Sequence, residues 1–584
     1  MKKLVFIIFL FACYGKALAQ GEPFSPPSII NTKPSGTVND YRLAHPFEII
    51  YGPDNHLYIT EKVGRVLRVD PVTGIRQIIL DHRANTFLNI SRDGSGAATG
   101  IGQDGMMGMA LHPNFGSGVD SIFIAYTISA GNVRISRWRY NGGATPSLTG
   151  ETVLIQGIPA NGDHSSGRLI VGGDNKLYYT CGDLGANQFG NRCSQIRSQT
   201  VPTAAQISGN NYINYAGKVL RLNLNGSIPS DNPIFSGVRS HVFTIGHRNP
   251  QGLVWQKQAT NGMVYAMPIA GGKLFSDEHG PRTDDEINIL QGGRNYGWPY
   301  IAGYLDDINY EYVNWSSSPN CSSTPYLETT IPVGATVTQE SDFSSLPNFQ
   351  RPLTTMYKDC GSLAASVCDA NGSNWMRFAT IAPSSIDFYN VNAGLGIPGW
   401  YPSLLVPTLR RGTLYRYKLN LAMDSVITDS IPYFHTNNRY RDIAISPDGK
   451  KIYLITDSIG STSGPSGSGT SSLDNRGAIM EFTFTGADLL EKNDPDRIPY
   501  AEKKYRVSIY PNPATQYITV QFEKGLHKPI YYKLTDVSGR VVSEDHTTKD
   551  EFSITVGHLP RGVYMLKLYS GYKIEVKVEK VVIQ

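Results

Sequence analysis

Four short stretches of this chain hold side chains able to do chemistry. Asp163-His164 sets an imidazole beside a carboxylate, and because imidazole titrates near neutrality a histidine so placed is a workable general base. Arg439-Tyr440-Arg441-Asp442 carries two guanidinium groups two residues apart. On a strand that spacing puts both on one face, where they can fork onto the carboxylates of a ligand or pair with acidic groups of the protein surface. Asp277-Glu278-His279-Gly280-Pro281-Arg282-Thr283-Asp284-Asp285-Glu286 is dense in oxygens. Hard cations such as calcium take such donors, backbone carbonyls included, although the same composition suits a solvated acidic loop. Gly246-His247-Arg248-Asn249-Pro250-Gln251-Gly252 places cationic and amide groups in a turn, able to face a pocket.

The elements that must position these groups read as short strands. The chain has 59 glycines, 35 prolines and 34 tyrosines, and long stretches of helical apolar periodicity are hard to find. One local pattern recurs: Gly52-Pro53-Asp54-Asn55-His56-Leu57-Tyr58-Ile59-Thr60, Gly172-Gly173-Asp174-Asn175-Lys176-Leu177-Tyr178-Tyr179-Thr180, and Ser446-Pro447-Asp448-Gly449-Lys450-Lys451-Ile452-Tyr453. Each is a turn feeding an alternating strand. Such hairpins, scattered through several hundred residues and separated by irregular loops, suit a β-propeller whose blades carry large insertions. The Gly/Ser-rich stretch 460–472 reads as a mobile loop inside the last blade, because strand-like Gly477–Phe484 follows it. The charged segment Leu490–Arg497 ends the propeller texture.

The 53 Lys+Arg stand against 49 Asp+Glu in 584 residues. That balance gives no global field for nucleic acid or an anionic membrane, and is compatible with a small neutral substrate. Met1-Lys2-Lys3, the apolar run to Cys13 and Ala17-Leu18-Ala19 have the order of a secretory signal peptide. The run is too short to span a bilayer. Removing Cys13 with the signal leaves Cys181, Cys193, Cys321, Cys360 and Cys368, an odd set for an oxidising compartment. The preferred disulfide is Cys360–Cys368, with Cys181–Cys193 second, and none has the spacing of a zinc site.

After the propeller texture come Val507-Ser508-Ile509-Tyr510-Pro511-Asn512-Pro513, Leu534-Thr535-Asp536-Val537-Ser538-Gly539-Arg540 and Leu559-Pro560-Arg561-Gly562-Val563-Tyr564. This segment resembles the C-terminal sorting domain of the type IX secretion system. Its strands and turns read as a small β-sandwich, which the resemblance makes an address for export across an outer membrane. The larger part resembles the PQQ-dependent soluble glucose dehydrogenase (glucose/sorbosone dehydrogenase) family, where PQQ is pyrroloquinoline quinone. The resemblance rests on Gly102-Gln103-Asp104-Gly105, Asp163 to Leu169, Tyr215 to Pro229, Gly246 to Gly252, Asn295-Tyr296-Gly297-Trp298-Pro299 and Asn437 to Asp442, in the family's order. It implies an all-β chain: signal peptide 1–19, six-bladed propeller 21–488, linker 489–504 and sandwich 505–584.

Carried over residue by residue, the resemblance makes His164 the base that takes the anomeric proton, and gives the sugar to Asp163 and Gln103. Arg248 stabilises the developing oxyanion, and Asn249, Thr380, Arg439 and Arg441 grip the quinone and its carboxylates. Carbonyls of Gly280 and Pro281 hold the catalytic calcium. Ala302, Tyr304, Asp306 and Glu340 form a second, structural calcium cluster. In three places the chain departs from the pattern. Arg410 replaces the cofactor-contacting lysine, a fork in place of a point charge. Phe189 replaces a smaller apolar residue at the pocket rim and narrows it. An insertion between Cys360 and Phe378 puts the substrate-flanking aromatics near Trp375 and Phe378. The implied partners are a sugar, an electron acceptor of unknown identity, the secretion machinery and a second copy as a homodimer. A calcium-binding extracellular propeller that holds glycan without a quinone is the alternative.

Overall fold

A computed structural model describes residues 23–32, 42–92, 98–258, 268–308, 310–327, 330–356, 380–391, 396–428, 430–459, 473–486, 507–522, 530–537, 540–569 and 575–584. Six four-stranded antiparallel sheets form among them before residue 486. Their innermost strands are Pro46–Tyr51, Met106–Leu111, Ser166–Val171, Pro250–Trp255, Asp387–Tyr389 and Tyr440–Ile445. Each packs on the next, and the sixth packs back on the first, so the sheets are the blades of a closed six-bladed propeller. The N-terminal strand Ser28–Ile29 supplies the outer edge of the sixth blade, pairing with Ile479–Thr483.

The recurring turn-strand pattern occupies one structural position. Each copy joins the innermost strand of blade one, three or six to the second strand of that blade. Asn55, Asn175 and Gly449 sit at φ 59°, 56° and 68° there, a conformation Asn and Gly take at least cost.

Alternation along the strands fills the spaces between blades, because each sheet has a neighbour on both faces. In Lys176–Cys181, Leu177, Tyr179 and Cys181 pack toward blade two, while Tyr178 packs with Leu253 and Trp255 of blade four. The innermost strands are mostly buried, and Met106–Leu111 and Pro250–Trp255 are so along their whole length. Gly108 lets two of them approach: a Cβ there would lie 2.4 Å from the carbonyl oxygen of Gly167.

A charged knot ties the ring near its axis. Arg168, on the innermost strand of blade three, is 1% exposed and pairs with Glu48 of blade one (2.8 Å) and Asp442 of blade six (3.1 Å). It also donates to the carbonyls of Gln251 and Ser384, both at 3.0 Å, and lies over the ring of Phe47.

Burial also sets an acid limit. His241 is held between the hydroxyl of Tyr215 (2.9 Å) and the carbonyl of Gly226 (3.1 Å), and burial pushes its imidazole down from 6.5 to about 4. Between those values the unfolded chain binds the proton that the fold excludes, so stability falls as pH drops through this window. His241→Asn is expected to remove a loss on the order of 3 kcal/mol from the acid limb. Urea unfolding of both proteins at neutral pH and near pH 4 measures it, and parallel pH profiles would refute it.

The C-terminal residues build a β-sandwich. A three-stranded sheet (Val507–Tyr510, Tyr517–Phe522, Glu551–Thr555) faces a four-stranded one (Val541–Thr547, Ile530–Asp536, Gly562–Tyr569, Glu575–Ile583). Ile518, Val520, Leu534, Ile554, Leu566 and Val581 fill the core between them.

The cysteine pairing corrects the sequence reading. Cys193 bonds Cys321, 128 residues away, and Cys181 is a buried free thiol on a blade strand, so Cys181–Cys193 is not formed. Cys360, Cys368, the 460–472 loop, the linker and the signal segment lie outside the described residues. Among the described residues no helix is long and apolar enough to cross a membrane.

Candidate active site

The chemistry-bearing segments converge at one mouth of the ring because each sits just before an innermost strand. Gln103 precedes Met106–Leu111, His164 precedes Ser166–Val171, Arg248 and Asn249 precede Pro250–Trp255, and Arg439 precedes Tyr440–Ile445. The turn with Gly280 and Pro281 joins Leu274–Glu278 to Asp285–Leu290 at the same mouth.

His164 stands at φ 47°, 5% exposed. Its Nδ1 lies 2.7 Å from Asp183 Oδ1, and that carboxylate is itself fixed by the N–H of Gly185 (2.9 Å) and the indole N–H of Trp298 (2.8 Å). With an acceptor oxygen of buried Asp183 on Nδ1, the neutral imidazole carries its proton there and leaves a lone pair on Nε2. The neighbour in sequence plays a different part: Asp163 lies 3.7 Å from Nε2, on the open side. Gly182 makes room for this turn, since a Cβ there would overlap the His164 carbonyl at 2.0 Å.

Around Nε2 lies a polar ring. Gln188 approaches it at 3.2 Å, donates to Asp163 Oδ2 at 2.9 Å and accepts from Arg248 Nη2 at 3.1 Å. Gln103 donates to Asp163 Oδ1 at 3.1 Å and accepts from Asn249 at 3.3 Å. Arg248 lies over the Trp298 ring, 5.4 Å from its centroid, and its buried Nε has no hydrogen-bond partner among the described residues. The backbone of the Arg248-Asn249 turn is held from behind by Glu278, which accepts from both N–H groups and meets His247 Nδ1 at 2.9 Å. His279 bonds the Pro383 carbonyl at 2.7 Å and faces Asn249 through Nδ1. Burial, then Arg248, hold it well below the ordinary histidine range, hence neutral.

Arg439 and Arg441 do share a direction, and the structure gives them a partner inside the chain. Their Nε atoms reach the two oxygens of buried Asp457 at 3.0 and 2.9 Å. Despite burial, the two guanidinium groups hold that carboxyl well below its usual range. Asp285 does comparable work across the mouth, accepting from Gly280 N–H (2.9 Å), Thr380 Oγ1 (2.7 Å) and Ile381 N–H (2.6 Å). Arg410 is buried, its backbone N–H on the Ile381 carbonyl. Burial and then Arg411 push its guanidinium down to about 10, so it stays cationic at neutral pH.

The acidic loop is not solvated: Asp284, Asp285 and Glu286 are all buried. Burial raises Asp284 to about 7, with Asp306 and Glu340 adding to the effect. Glu340 accepts from the backbone N–H of Ala302 (2.9 Å), Asp306 (3.3 Å) and Asp307 (2.9 Å), which sets it against the turn carrying Ala302, Tyr304 and Asp306, the residues expected with it in a structural calcium cluster. Only two of its members bring carboxylates, and among the described residues no group of three or more His, Cys, Asp or Glu side chains forms a metal-ligand set.

A cavity of about 370 Å3 borders this mouth, lined by Gln188, Arg248, Pro281, Trp298, Tyr310 and Tyr326 among others. Phe189, the expected rim residue, is 42% exposed and packs at 4.9 Å on Tyr326, which lines the cavity. Trp375 and Phe378 lie outside the described residues. A larger cavity, about 550 Å3, opens at the opposite mouth and contains none of these groups. Sequence reasoning missed Asp183, Gln188, Glu278 and Asp285. The Gly182-Asp183-Leu184-Gly185 turn, shortly before Phe189, was the available signal for the first two.

A glucose / sorbosone dehydrogenase family model matches residues 43–348, and a secretion system C-terminal sorting domain model matches 508–584. The chain is 38% identical over 454 residues to quinoprotein glucose dehydrogenase B of Acinetobacter calcoaceticus, across 76% of this chain and 89% of that protein. It is 24% identical over 464 residues to aldose sugar dehydrogenase YliI of Escherichia coli, across 78% and 96%. The PQQ-bound aldose sugar dehydrogenase of Streptomyces coelicolor superposes at a TM-score of 0.48 and 22% identity, over 79% of this chain and 99% of that one. The propeller and its site are those of a sugar-oxidising enzyme. The chain belongs to the glucose/sorbosone dehydrogenase family, and its last residues are a sorting domain that directs export to the cell surface or beyond.

Proposed function

We propose that this protein oxidises an aldose at its anomeric carbon to the lactone, using PQQ and calcium. The observation that carries the reading is His164, whose Nδ1 is tied to Asp183 while Nε2 faces Gln188 and Asp163 beside Arg248. Hydride leaves an anomeric carbon only as its hydroxyl loses a proton. His164 Nε2 takes that proton, displacing Gln188 from its contact. Asp183 holds the imidazole in register and balances the imidazolium that forms. Asp163 and Gln103, already bonded to each other, orient the sugar hydroxyls. When bound, PQQ supplies the carbon that accepts hydride, and calcium supplies Lewis acidity and an anchor.

The residues present fit both groups. Arg248 Nε is a buried donor with no acceptor among the described residues, and Glu278 holds the backbone that carries it. Arg410, Asn249, Thr380, Arg439 and Arg441 would hold the cofactor's oxygens, and the carbonyls of Gly280 and Pro281 the calcium. The second cluster of Ala302, Tyr304, Asp306 and Glu340 is all oxygen, as calcium requires. Export would begin with signal peptide 1–19 and pass through the periplasm, the enzyme being 21–488, the linker 489–504 and the address 505–584.

Titration of PQQ into the calcium-loaded protein, followed by dye reduction on adding an aldose, tests the function. Arg410→Lys is expected to bind PQQ nearly as wild type does, whereas Arg410→Ala loses about 2–5 kcal/mol, because truncation leaves anionic oxygens unpaired in a desolvated site. No PQQ uptake by the wild type would end the dehydrogenase reading and favour a glycan-holding propeller.

A further inference from the structure

We propose that Lys62, which no assignment above uses, is the third cation of a bed shared with Arg439 and Arg441 that receives carboxylate groups of the bound quinone cofactor. This rests on the PQQ reading.

The backbone fixes where Lys62 stands. It follows the strand Leu57–Glu61 of blade one, its N–H donates to the His45 carbonyl (2.8 Å), and its carbonyl accepts from Met106 N–H (3.0 Å). The side chain is 5% exposed, and its Nζ lies 5.7 Å from the centroid of the Phe47 ring. Its ammonium donates to the Gly102 carbonyl at 2.9 Å, beside Gln103. That oxygen is its one acceptor among the described residues, although an ammonium has three N–H groups to place.

The charges around it do not balance. Arg441, Asp457, Asp104 and Arg439 all act on Lys62 electrostatically. Asp457 is already engaged by both arginines. Asp104 accepts from the N–H and side-chain amide of Asn89 at 3.1 and 2.5 Å. Glu61, next in sequence, is spent on Arg65 (2.5 Å) and the Ala44 N–H (2.7 Å). His45 adds no charge of either sign, since burial and then Lys62 push it down to about 4 and leave it neutral at pH 7. Among the described residues, three buried cations thus stand around two carboxylates. An uncompensated buried cation is costly, and the site accordingly pushes the Lys62 ammonium down to about 7, by burial first and Arg441 second. A polycarboxylate entering the mouth supplies the missing negative charge.

Isothermal titration of PQQ at fixed calcium into wild type, Lys62→Met, Lys62→Gln and Lys62→Arg tests this. Met and Gln are expected to weaken binding at least roughly tenfold, with a shallower salt dependence, and Arg to retain it. Without ligand, Lys62→Met is expected to melt above wild type, since it removes a charge that only the cofactor offsets. Wild-type uptake of PQQ with equal affinity in the Met and Gln variants would overturn the role of Lys62 alone. Absence of uptake by the wild type would overturn the proposed function and this inference with it.

Discussion

Replacing His164 by asparagine is expected to lower turnover on the order of 10²- to 10⁴-fold, the usual contribution of a positioned base, with PQQ affinity and melting temperature kept. Asparagine is the informative choice because the residue stands at φ 47°, where Asn is among the best tolerated side chains. Its amide can still donate to Asp183, so the turn that carries Asp163 keeps its anchor. Single-turnover reduction of the PQQ-loaded enzyme by an aldose isolates the step. A rate within a few fold of wild type would remove His164 from the mechanism. Asp183→Asn should lose less than this, because it disturbs the tautomer without removing the base.

The second large effect concerns stability. Arg168→Met is expected to cost about 3–5 kcal/mol, the range for breaking a buried ion pair from one side. Two carboxylates, Glu48 and Asp442, would remain at the axis without their counter-ion, and the carbonyls of Gln251 and Ser384 would lose donors. Burial already raises the Glu48 carboxyl well above its ordinary range even with the arginine present. Adding Glu48→Gln and Asp442→Asn to the methionine variant should restore part of the loss, and that non-additivity is the signature of a shared network. Unfolding that shifts no more than for an exposed arginine would refute the assignment.

The sequence made the periodic parts legible. The Asp-Asn and Asp-Gly turns with their alternating strands predicted hairpins, and three of the six blades begin with them. The paired arginines at 439 and 441 predicted a shared face, because strand geometry alone sets it. What stayed hidden depends on non-local distance. Cys193 and Cys321 are brought together by two long loops around the mouth, and no spacing rule reaches across 128 residues. Asp183 orients His164 from a neighbouring strand end, so adjacency in sequence pointed instead to Asp163. By composition the acidic run 284–286 suits either a hard cation or a solvated loop, and the fold buries every member of it. Burial belongs to the tertiary environment, and only the ring supplies it.

The edge strand Ser28–Ile29 carries a further implication. It closes the last blade, and Asn31 beside it accepts from the N–H of Ile479, 448 residues later. The ring therefore stays open until the end of the sixth blade has left the ribosome. Contacts of such high sequence separation form slowly, so closure of the ring is expected to be a late step of folding. Once the clasp is made, the first and last strands of the propeller hold each other, and neither can fray from the ring unless that seam opens.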